Sequence, residues 1–123
     1  MAAIRYFVHD VDAALDFYVS RLGFEFAQRP GPPIAMVRHG DLMLWLSGPG
    51  TSAARPMPDG AQPAPGGWNR LVLEVADLDA LAAALRAAGV RLRSDIVSGP
   101  GGQQLLIEDP SGNPVELFTP RGK

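Results

Sequence analysis

The 123-residue chain has no cysteine, little net charge and no long apolar run. The lack of cysteine excludes disulfides, thiolate metal ligands and a cysteine nucleophile. A formal net charge of -2 argues against nucleic-acid binding, which needs a basic face. No apolar run approaches the roughly 20 residues that span a bilayer. The first residues also lack the basic stretch and apolar run of a signal peptide. We therefore expect a cytoplasmic protein with neither a membrane nor a nucleic-acid partner.

The composition and the length predict a single globular domain. Hydrophobic residues make up 46% of the chain and charged residues 20%, which is typical of a chain with a packed core. A chain of 123 residues leaves no room for a second independent core. Residues 1–123 are therefore predicted to form one domain.

Hydrophobic periodicity in the first half predicts a strand, a helix and three further strands. Asp10 or Asp12 offers a side-chain cap for the helix, and Gly23 supplies the left-handed stop. The segment RPGPP is predicted to break the chain after the second strand, and HGD to form a hairpin turn. In chain order the predicted elements are residues 4–8, 11–22, 24–27, 34–38 and 42–46.

Residues 48–67 hold five prolines and five glycines, which predicts a linker or mobile loop. The pattern then repeats, with Asp77 as the helix cap and Gly89 as the stop. The predicted strands of this half are residues 69–75, 90–96, 103–109 and 114–118. The chain thus divides into a βαβββ module at residues 1–47, a linker, and a second βαβββ module at residues 68–120.

Three anchor pairs favour an internal duplication. Val8 matches Val75, Gly23 matches Gly89 and Trp45 matches Glu116, at offsets of 67, 66 and 71 residues. Nearly constant offsets are typical of a repeated unit, although any two αβ units share some of this punctuation.

Two motifs resemble a known family. VHDVDAALDFYVSRLGFEF, at residues 8–26, is similar to the first helix of the vicinal-oxygen-chelate superfamily, which includes glyoxalase I, bleomycin-resistance proteins and extradiol dioxygenases. EDPSGNPVELF, at residues 108–118, is similar to its last hairpin. The resemblance covers essentially the whole chain. It implies an α+β fold in which two βαβββ modules form an open, cup-shaped mixed sheet.

The resemblance also implies four metal-ligand positions, which this chain has mostly lost. They correspond to Ala3, Trp45, Arg70 and Glu116. Alanine, indole and guanidinium do not coordinate divalent metals, and one carboxylate is too few for a stable site. A register slip would bring in His9 or His39, but both are expected to face solvent. We therefore expect no metal and no cofactor.

Strand alternation identifies the residues that would line the cup in place of ligands. The opposite set, which includes Ile4, Tyr6 and Val8, is predicted to form the core. The lining set mixes aromatic, thioether and charged side chains, which suits a flat apolar ligand with a few polar groups. Trp68 is placed in this set as a lid. The predicted ligand-binding residues are Arg5, Phe7, Met36, Arg38, Met43, Trp45, Trp68, Arg70, Glu116 and Phe118.

Other roles remain open for several of these residues. Phe7 and Phe118 are alternatively core residues, and Trp45 is alternatively part of a subunit interface. Arg70 and Glu116 alternatively form an ion pair that closes the vacated metal site. The side chains that are alternatively solvated rim charges are Arg5, Arg38 and Glu74.

Three functions follow, in decreasing order of support. The first is a non-catalytic protein that sequesters an aromatic antibiotic or a similar hydrophobic compound, as metal-free members of the family do. A cationic drug such as bleomycin is disfavoured, because a net charge of -2 gives little steering. The second is a metal-dependent lyase, isomerase or dioxygenase. The third is a metal-free enzyme with Glu116 as general base, a role that Arg70 nearby would oppose. In each case we expect a homodimer, since unpaired sheet edges are a liability.

Overall fold

The computed structural model describes residues 2–122, which divide into two compact units. The first unit ends at Gly66 and the second begins at Gly67. Each unit has an open mixed sheet, and in each sheet the first and last strands pair in parallel. The predicted α+β class and the two βαβββ modules are therefore confirmed. No helix of residues 2–122 is long and apolar enough to cross a bilayer.

The first unit contains a four-stranded sheet in the order β1-β4-β3-β2. Strand β1 pairs with β4 in parallel, and the other neighbours are antiparallel. A π-helical turn at residues 17–21 continues the helix, and a short 3₁₀ turn lies at residues 52–54. The elements are β1 (Ala3–Phe7), α1 (Val11–Asp16), β2 (Glu25–Gly31), β3 (Ile34–His39) and β4 (Leu42–Ser47).

The helix of the first unit begins and ends where its capping chemistry predicts. Asp10, not Asp12, is the cap, and its Oδ1 accepts a hydrogen bond from the Ala13 N–H at 3.1 Å. The helical segment stops before Gly23, whose φ of 76° is a left-handed conformation that suits glycine. The predicted hairpin turn is Gly40-Asp41, because His39 pairs with Leu42.

Apolar side chains on one face of the first sheet pack with α1 to form its core. Ala35, Val37, Leu44 and Leu46 are each 0% exposed, and α1 contacts strands β3 and β4. Ile4 was predicted to belong to this core but is 39% exposed. It lies on β1, an edge strand of this sheet, where fewer neighbours cover a side chain.

The predicted break at RPGPP is shorter than expected, because β2 continues through Arg29 and Pro30 to Gly31. Strand β2 is the other edge of the sheet, and proline is tolerated there since its missing N–H costs no ladder bond. Its pairing with β3 is irregular, with register shifts on both sides of Gln28. The turn is therefore confined to Pro32 and Pro33, the last two residues of the RPGPP segment.

The second unit contains a sheet in the order β5-β9-β8-β6, with β7 also paired to β8. Asp77 caps its helix through a 3.0 Å hydrogen bond from the Ala80 N–H, as predicted. The apolar side chains of β5, β8 and β9 that include Leu105, Ile107 and Leu117 are buried on the α2 side. The elements are β5 (Leu71–Glu74), α2 (Leu78–Ala87), β6 (Arg91–Leu92), β7 (Val97–Gly99), β8 (Gly102–Glu108) and β9 (Pro114–Pro120).

The strand predicted at residues 90–96 is shortened to β6 (Arg91–Leu92), and β7 (Val97–Gly99) begins after it. Between them, the Ser94 hydroxyl accepts a hydrogen bond from the Leu106 N–H at 3.0 Å, where a backbone carbonyl would serve in a regular ladder. Arg93 N–H still donates to the Leu106 carbonyl at 2.7 Å. A serine side chain thus competes with the backbone for β8 and interrupts the strand.

Candidate functional site

One row of side chains crosses the first sheet on the face opposite its core. Arg5 is in register with Trp45, Trp45 with Met36, and Met36 with Gln28. We call this face, which carries Arg5, Phe7, Met36, Arg38, Met43, Trp45 and Ser47, the Trp45 face. Its side chains alternate with buried ones such as Leu44 and Leu46, so the predicted alternation holds in β3 and β4.

The rows on either side of Trp45 complete this face. Met43 pairs with Arg38 on one side, and Phe7 pairs with Ser47 on the other. Met36, Met43 and Trp45 are half-buried, whereas Arg38 is exposed. The face therefore offers a soft, polarizable surface in its middle and positive charge at its margin.

Arg5 lies against the indole of Trp45. Its guanidinium carbon is 5.1 Å from the centre of the ring, within the range of a cation–π contact. Its Nη1 donates to the hydroxyl oxygen of Ser47 at 3.0 Å. Among residues 2–122, no carboxylate lies within ion-pair distance of Arg5. Its charge is thus held in place by neutral groups and is not neutralised.

The indole N–H of Trp45 is a buried donor without an acceptor. Among the described residues, Nε1 of Trp45 is shielded from solvent and makes no hydrogen bond. An unsatisfied buried donor costs about 1–3 kcal/mol, and each one in a native structure calls for an explanation. Here it lies beside the one unneutralised cation of the same row.

A cavity of about 290 Å³ opens at the carboxyl ends of β1 and β4. Phe7, His9 and Ser47 line one side of it, and Pro63 and Pro65 line another. The proline- and glycine-rich segment, predicted as a linker or mobile loop, thus contributes to a pocket wall in the first unit. Composition predicts that such a segment is irregular, but not where it packs.

The second unit holds the ion pair that the sequence left open. Both Nε and Nη2 of Arg70 donate to Oε1 of Glu116, at 3.0 and 2.9 Å. The Glu116 side chain is only 14% exposed. With two charged donors on one oxygen, Glu116 is poorly placed to act as a base, because abstracting a proton would weaken this pair.

Trp68 stacks on an arginine of the same unit. The guanidinium carbon of Arg93 is 4.5 Å from the ring centre, and Arg93 also pairs with Glu108 at 3.2 Å. Trp68 itself is 68% exposed. Phe118 is half-buried on the same sheet face as Glu116, two positions along β9.

The donor set does not fit a divalent metal. Ala3 and Trp45 lie in the first unit and offer no ligand atom, and Arg70 in the second occupies the one carboxylate. Within residues 2–122, no group of three or more His, Cys, Asp or Glu side chains is arranged to hold a metal ion. A stable site for zinc needs three or four protein ligands.

The two histidines differ from each other. His9 is exposed, as expected, and lines the cavity described above. His39 was predicted to face solvent but is half-buried, with its ring centre 5.1 Å from that of Phe24. The turn after His39 leaves its side chain on β3, where Phe24, a core residue, covers it.

The predicted lining residues fall into two groups. Six of them share the Trp45 face of the first unit. The other four lie in the second unit, where Arg70 and Glu116 contact each other and Trp68 contacts Arg93. That all ten bind one ligand stays a prediction. The sequence did not single out Ser47 as an anchor for Arg5 or the residues of the cavity wall.

Comparisons with known proteins point to one family. The family model of the Glyoxalase/Bleomycin resistance protein/Dioxygenase superfamily matches residues 1–117. No protein of curated function matches the chain. Among solved structures, TnmS3, an antibiotic binding protein from Streptomyces sp. CB03234, is 29% identical, with a TM-score of 0.70 over 98% of this chain and 97% of that one.

Two further structures have the same fold. A superfamily member from Sphaerobacter thermophilus is 26% identical, with a TM-score of 0.73 over 97% of each chain. A lactoylglutathione lyase from Agrobacterium tumefaciens is 22% identical, with a TM-score of 0.73 over 97% of this chain and 92% of that one. The likeness to the lyase, at 22% identity, shows a shared fold and nothing about function.

Proposed function

Since the chain belongs to the glyoxalase/bleomycin resistance protein/dioxygenase superfamily, we propose that it binds a small molecule without transforming it. The ligand is an aromatic antibiotic or a similar hydrophobic compound, and it is held on the Trp45 face. The observation that carries this proposal is Trp45 itself, a half-buried indole beside Met36 on the neighbouring strand. A large aromatic side chain flanked by a thioether is suited to a flat apolar partner.

The likeness to TnmS3 supports binding over catalysis. That protein is described as antibiotic binding, and its identity to this chain, 29%, is higher than that of the lyase, 22%. A drug of about 30 heavy atoms at roughly 0.3 kcal/mol per atom binds with about 9 kcal/mol. This corresponds to a sub-micromolar dissociation constant, which suffices to sequester a drug in the cytoplasm before it reaches its target.

A binding and turnover experiment tests this function. Purified protein is titrated with a panel of planar aromatic antibiotics by calorimetry, and each mixture is then examined by mass spectrometry after long incubation. We expect at least one sub-micromolar ligand that is recovered unchanged. A new product formed in proportion to protein and time would contradict the proposal and favour an enzyme.

We also propose that the protein is a homodimer. In the first unit β1 and β2 are edge strands, and Phe26 on β2 is 52% exposed. Exposed edges and apolar side chains are liabilities that association removes. Light scattering at micromolar concentration is expected to give twice the mass of one chain. A monomeric mass under these conditions would contradict the proposal.

A further inference from the structure

We infer that the ligand of the Trp45 face carries an anionic oxygen, of the carboxylate or phenolate kind, beside its flat ring system, and that Arg5 receives this oxygen together with the indole N–H of Trp45. The inference rests on the proposed function and narrows its ligand class. It goes beyond apolar stacking, because it requires charge and an acceptor at one place on the ligand.

The guanidinium of Arg5 has no anionic partner among residues 2–122. An exposed arginine usually finds a carboxylate or is fully solvated, but Arg5 is fixed at two points by neutral groups. Its guanidinium lies over the Trp45 ring and donates to Ser47, which is 1% exposed. These contacts orient the guanidinium without neutralising its charge. Its remaining N–H donors form the fork that matches a carboxylate or phenolate.

The indole N–H of Trp45 is a second group that favours an acceptor on the ligand, separately from the charge of Arg5. Its Nε1 is shielded from water and has no acceptor among residues 2–122. A ligand oxygen reaches this atom only when the groups that shield it move aside, and it then gains a hydrogen bond without breaking an existing one. Since an unsatisfied donor and an unneutralised cation lie in one cross-strand pair, one oxygen-bearing group on the ligand can serve both.

Arg5 covers one face of the Trp45 ring, so a ligand that only stacked there would have to displace a cation–π contact. An anionic ligand instead keeps Arg5 in place and adds an ion pair to it. The cavity lined by Phe7 and Ser47 lies beyond the next pair of side chains on this face and is not lined by Arg5 or Trp45.

The second unit shows what a neutralised arginine looks like in the same chain. There Arg70 donates twice to Glu116, whose carboxylate balances its charge. Trp45 is the residue that matches Glu116 in the repeat, so the first unit has a ring where the second has a carboxylate. A carboxylate supplied by the ligand would give Arg5 an anionic partner, as Glu116 does for Arg70.

Three probes with one ring system test the inference. They are anthracene-2-carboxylate, anthracene-2-carboxamide and 2-(aminomethyl)anthracene, titrated at neutral pH by calorimetry. We expect the carboxylate to bind at least about tenfold more tightly than the amine, with the carboxamide between them, as for a hydrogen bond to a charged group. Arg5→Gln is expected to remove about tenfold from the carboxylate and less than about twofold from the carboxamide.

Arg21→Gln is the matched control, because it removes the same charge from an exposed arginine at the end of the π-helical turn. The control is expected to keep the order of the three probes. Equal affinity for the carboxylate and the amine, or a preference that survives Arg5→Gln, would overturn the inference while leaving aromatic binding intact. Failure of all three probes to bind would overturn both the inference and the proposed aromatic ligand.

The indole N–H is followed directly by NMR in the unmodified protein. The chain has two tryptophans and therefore two indole signals in a ¹⁵N correlation spectrum, which Trp68→Phe assigns. The carboxylate and the carboxamide are expected to move the Trp45 signal downfield, whereas the amine, which has no acceptor, gives the ring-current baseline. The same displacement with all three probes would contradict a hydrogen bond from Nε1.

Discussion

Replacing Trp45 by alanine is the most direct test of where the ligand binds. The indole is the largest side chain on its face, and it lies between Arg5 and Met36 in one cross-strand row. A stacked aromatic pair contributes roughly 0.5–1.5 kcal/mol beyond area burial, and loss of a whole tryptophan anchor costs about 2 kcal/mol or more. Trp45→Ala should therefore weaken binding at least about thirtyfold.

The same substitution should cost little stability. Truncating a core tryptophan usually costs about 3–5 kcal/mol, but Trp45 lies on the opposite face of β4 from Leu44 and Leu46, which are 0% exposed. The substitution also removes a buried N–H that has no acceptor in the described part of the chain, which relieves about 1–3 kcal/mol. It loses a cation–π contact of about 0.5–1 kcal/mol with Arg5. We expect a net change below about 2 kcal/mol.

Ligand titration with fluorescence detection measures the loss, with Trp68 as the remaining reporter, and urea unfolding measures stability. Phe26→Ala is the control, because Phe26 is exposed and aromatic but lies on the opposite face of the sheet from Trp45. Its register partner on β3 is the core residue Val37. It should bind as the unmodified protein does. If Trp45→Ala binds normally, or if it unfolds the protein, then Trp45 is a packing or interface residue and the reasoning is refuted.

The remaining predictions concern the second unit and the metal. Arg70→Met should destabilise the protein by about 1–3 kcal/mol in urea unfolding, because it leaves the mostly buried Glu116 carboxylate unpaired. The double substitution Arg70→Met with Glu116→Leu should recover most of this loss. Additive losses from the two substitutions would refute the coupling. Gly102→Ala should lower the melting temperature strongly, since the φ of Gly102 is 148° and a Cβ there would clash with the Thr119 carbonyl oxygen. Gly101→Ala, where a Cβ meets nothing within 4 Å, should not lower it, and equal effects would show that the clash is unimportant. Dialysis against zinc, nickel or manganese should leave far less than one equivalent per chain, measured by elemental analysis, and a chelator should not change ligand affinity; a stoichiometric metal whose removal abolishes binding would contradict this.

The sheet register of the first unit could be predicted from local sequence because two constraints agree. The alternation of LMLWL separates Trp45 from the leucines, and the two-residue turn at Gly40-Asp41 sets the pairing with β3. A slip of one residue would have placed Trp45 in the core and Leu44 on the other face. Met36 was therefore correctly expected beside Trp45.

The errors in the fold come from information that local sequence does not carry. A proline in a strand is tolerated at an edge, so the extent of β2 through Pro30 depends on its position in the sheet. The interruption at Ser94 depends on its hydroxyl reaching Leu106, twelve residues away. Each segment has the composition that led to its prediction. Only its tertiary partner decides whether the strand continues or is interrupted.

Prediction of the candidate site from the sequence was limited in the same way. Strand alternation placed Arg5 on the correct face of the sheet. It did not predict that Arg5 would contact Ser47, 42 residues away, instead of a carboxylate. The cavity was missed because proline and glycine content predicts irregular structure without indicating where Pro63 and Pro65 pack. Partner choice between distant residues decides charge balance, and charge balance is what distinguishes a structural arginine from one that meets a ligand.

The two units illustrate that distinction with the same ingredients. In the second unit the arginine before β5 is neutralised by Glu116, and a ligand anion would have to compete with a carboxylate already held by two hydrogen bonds. In the first unit the equivalent position of the fourth strand is Trp45, and among residues 2–122 the nearby Arg5 has only a ring and a hydroxyl as partners. Displacing a held carboxylate costs charge-assisted hydrogen bonds, whereas adding an anion to Arg5 costs mainly desolvation. The first unit is therefore the one in which ligand binding is opposed least, although both units have the same fold.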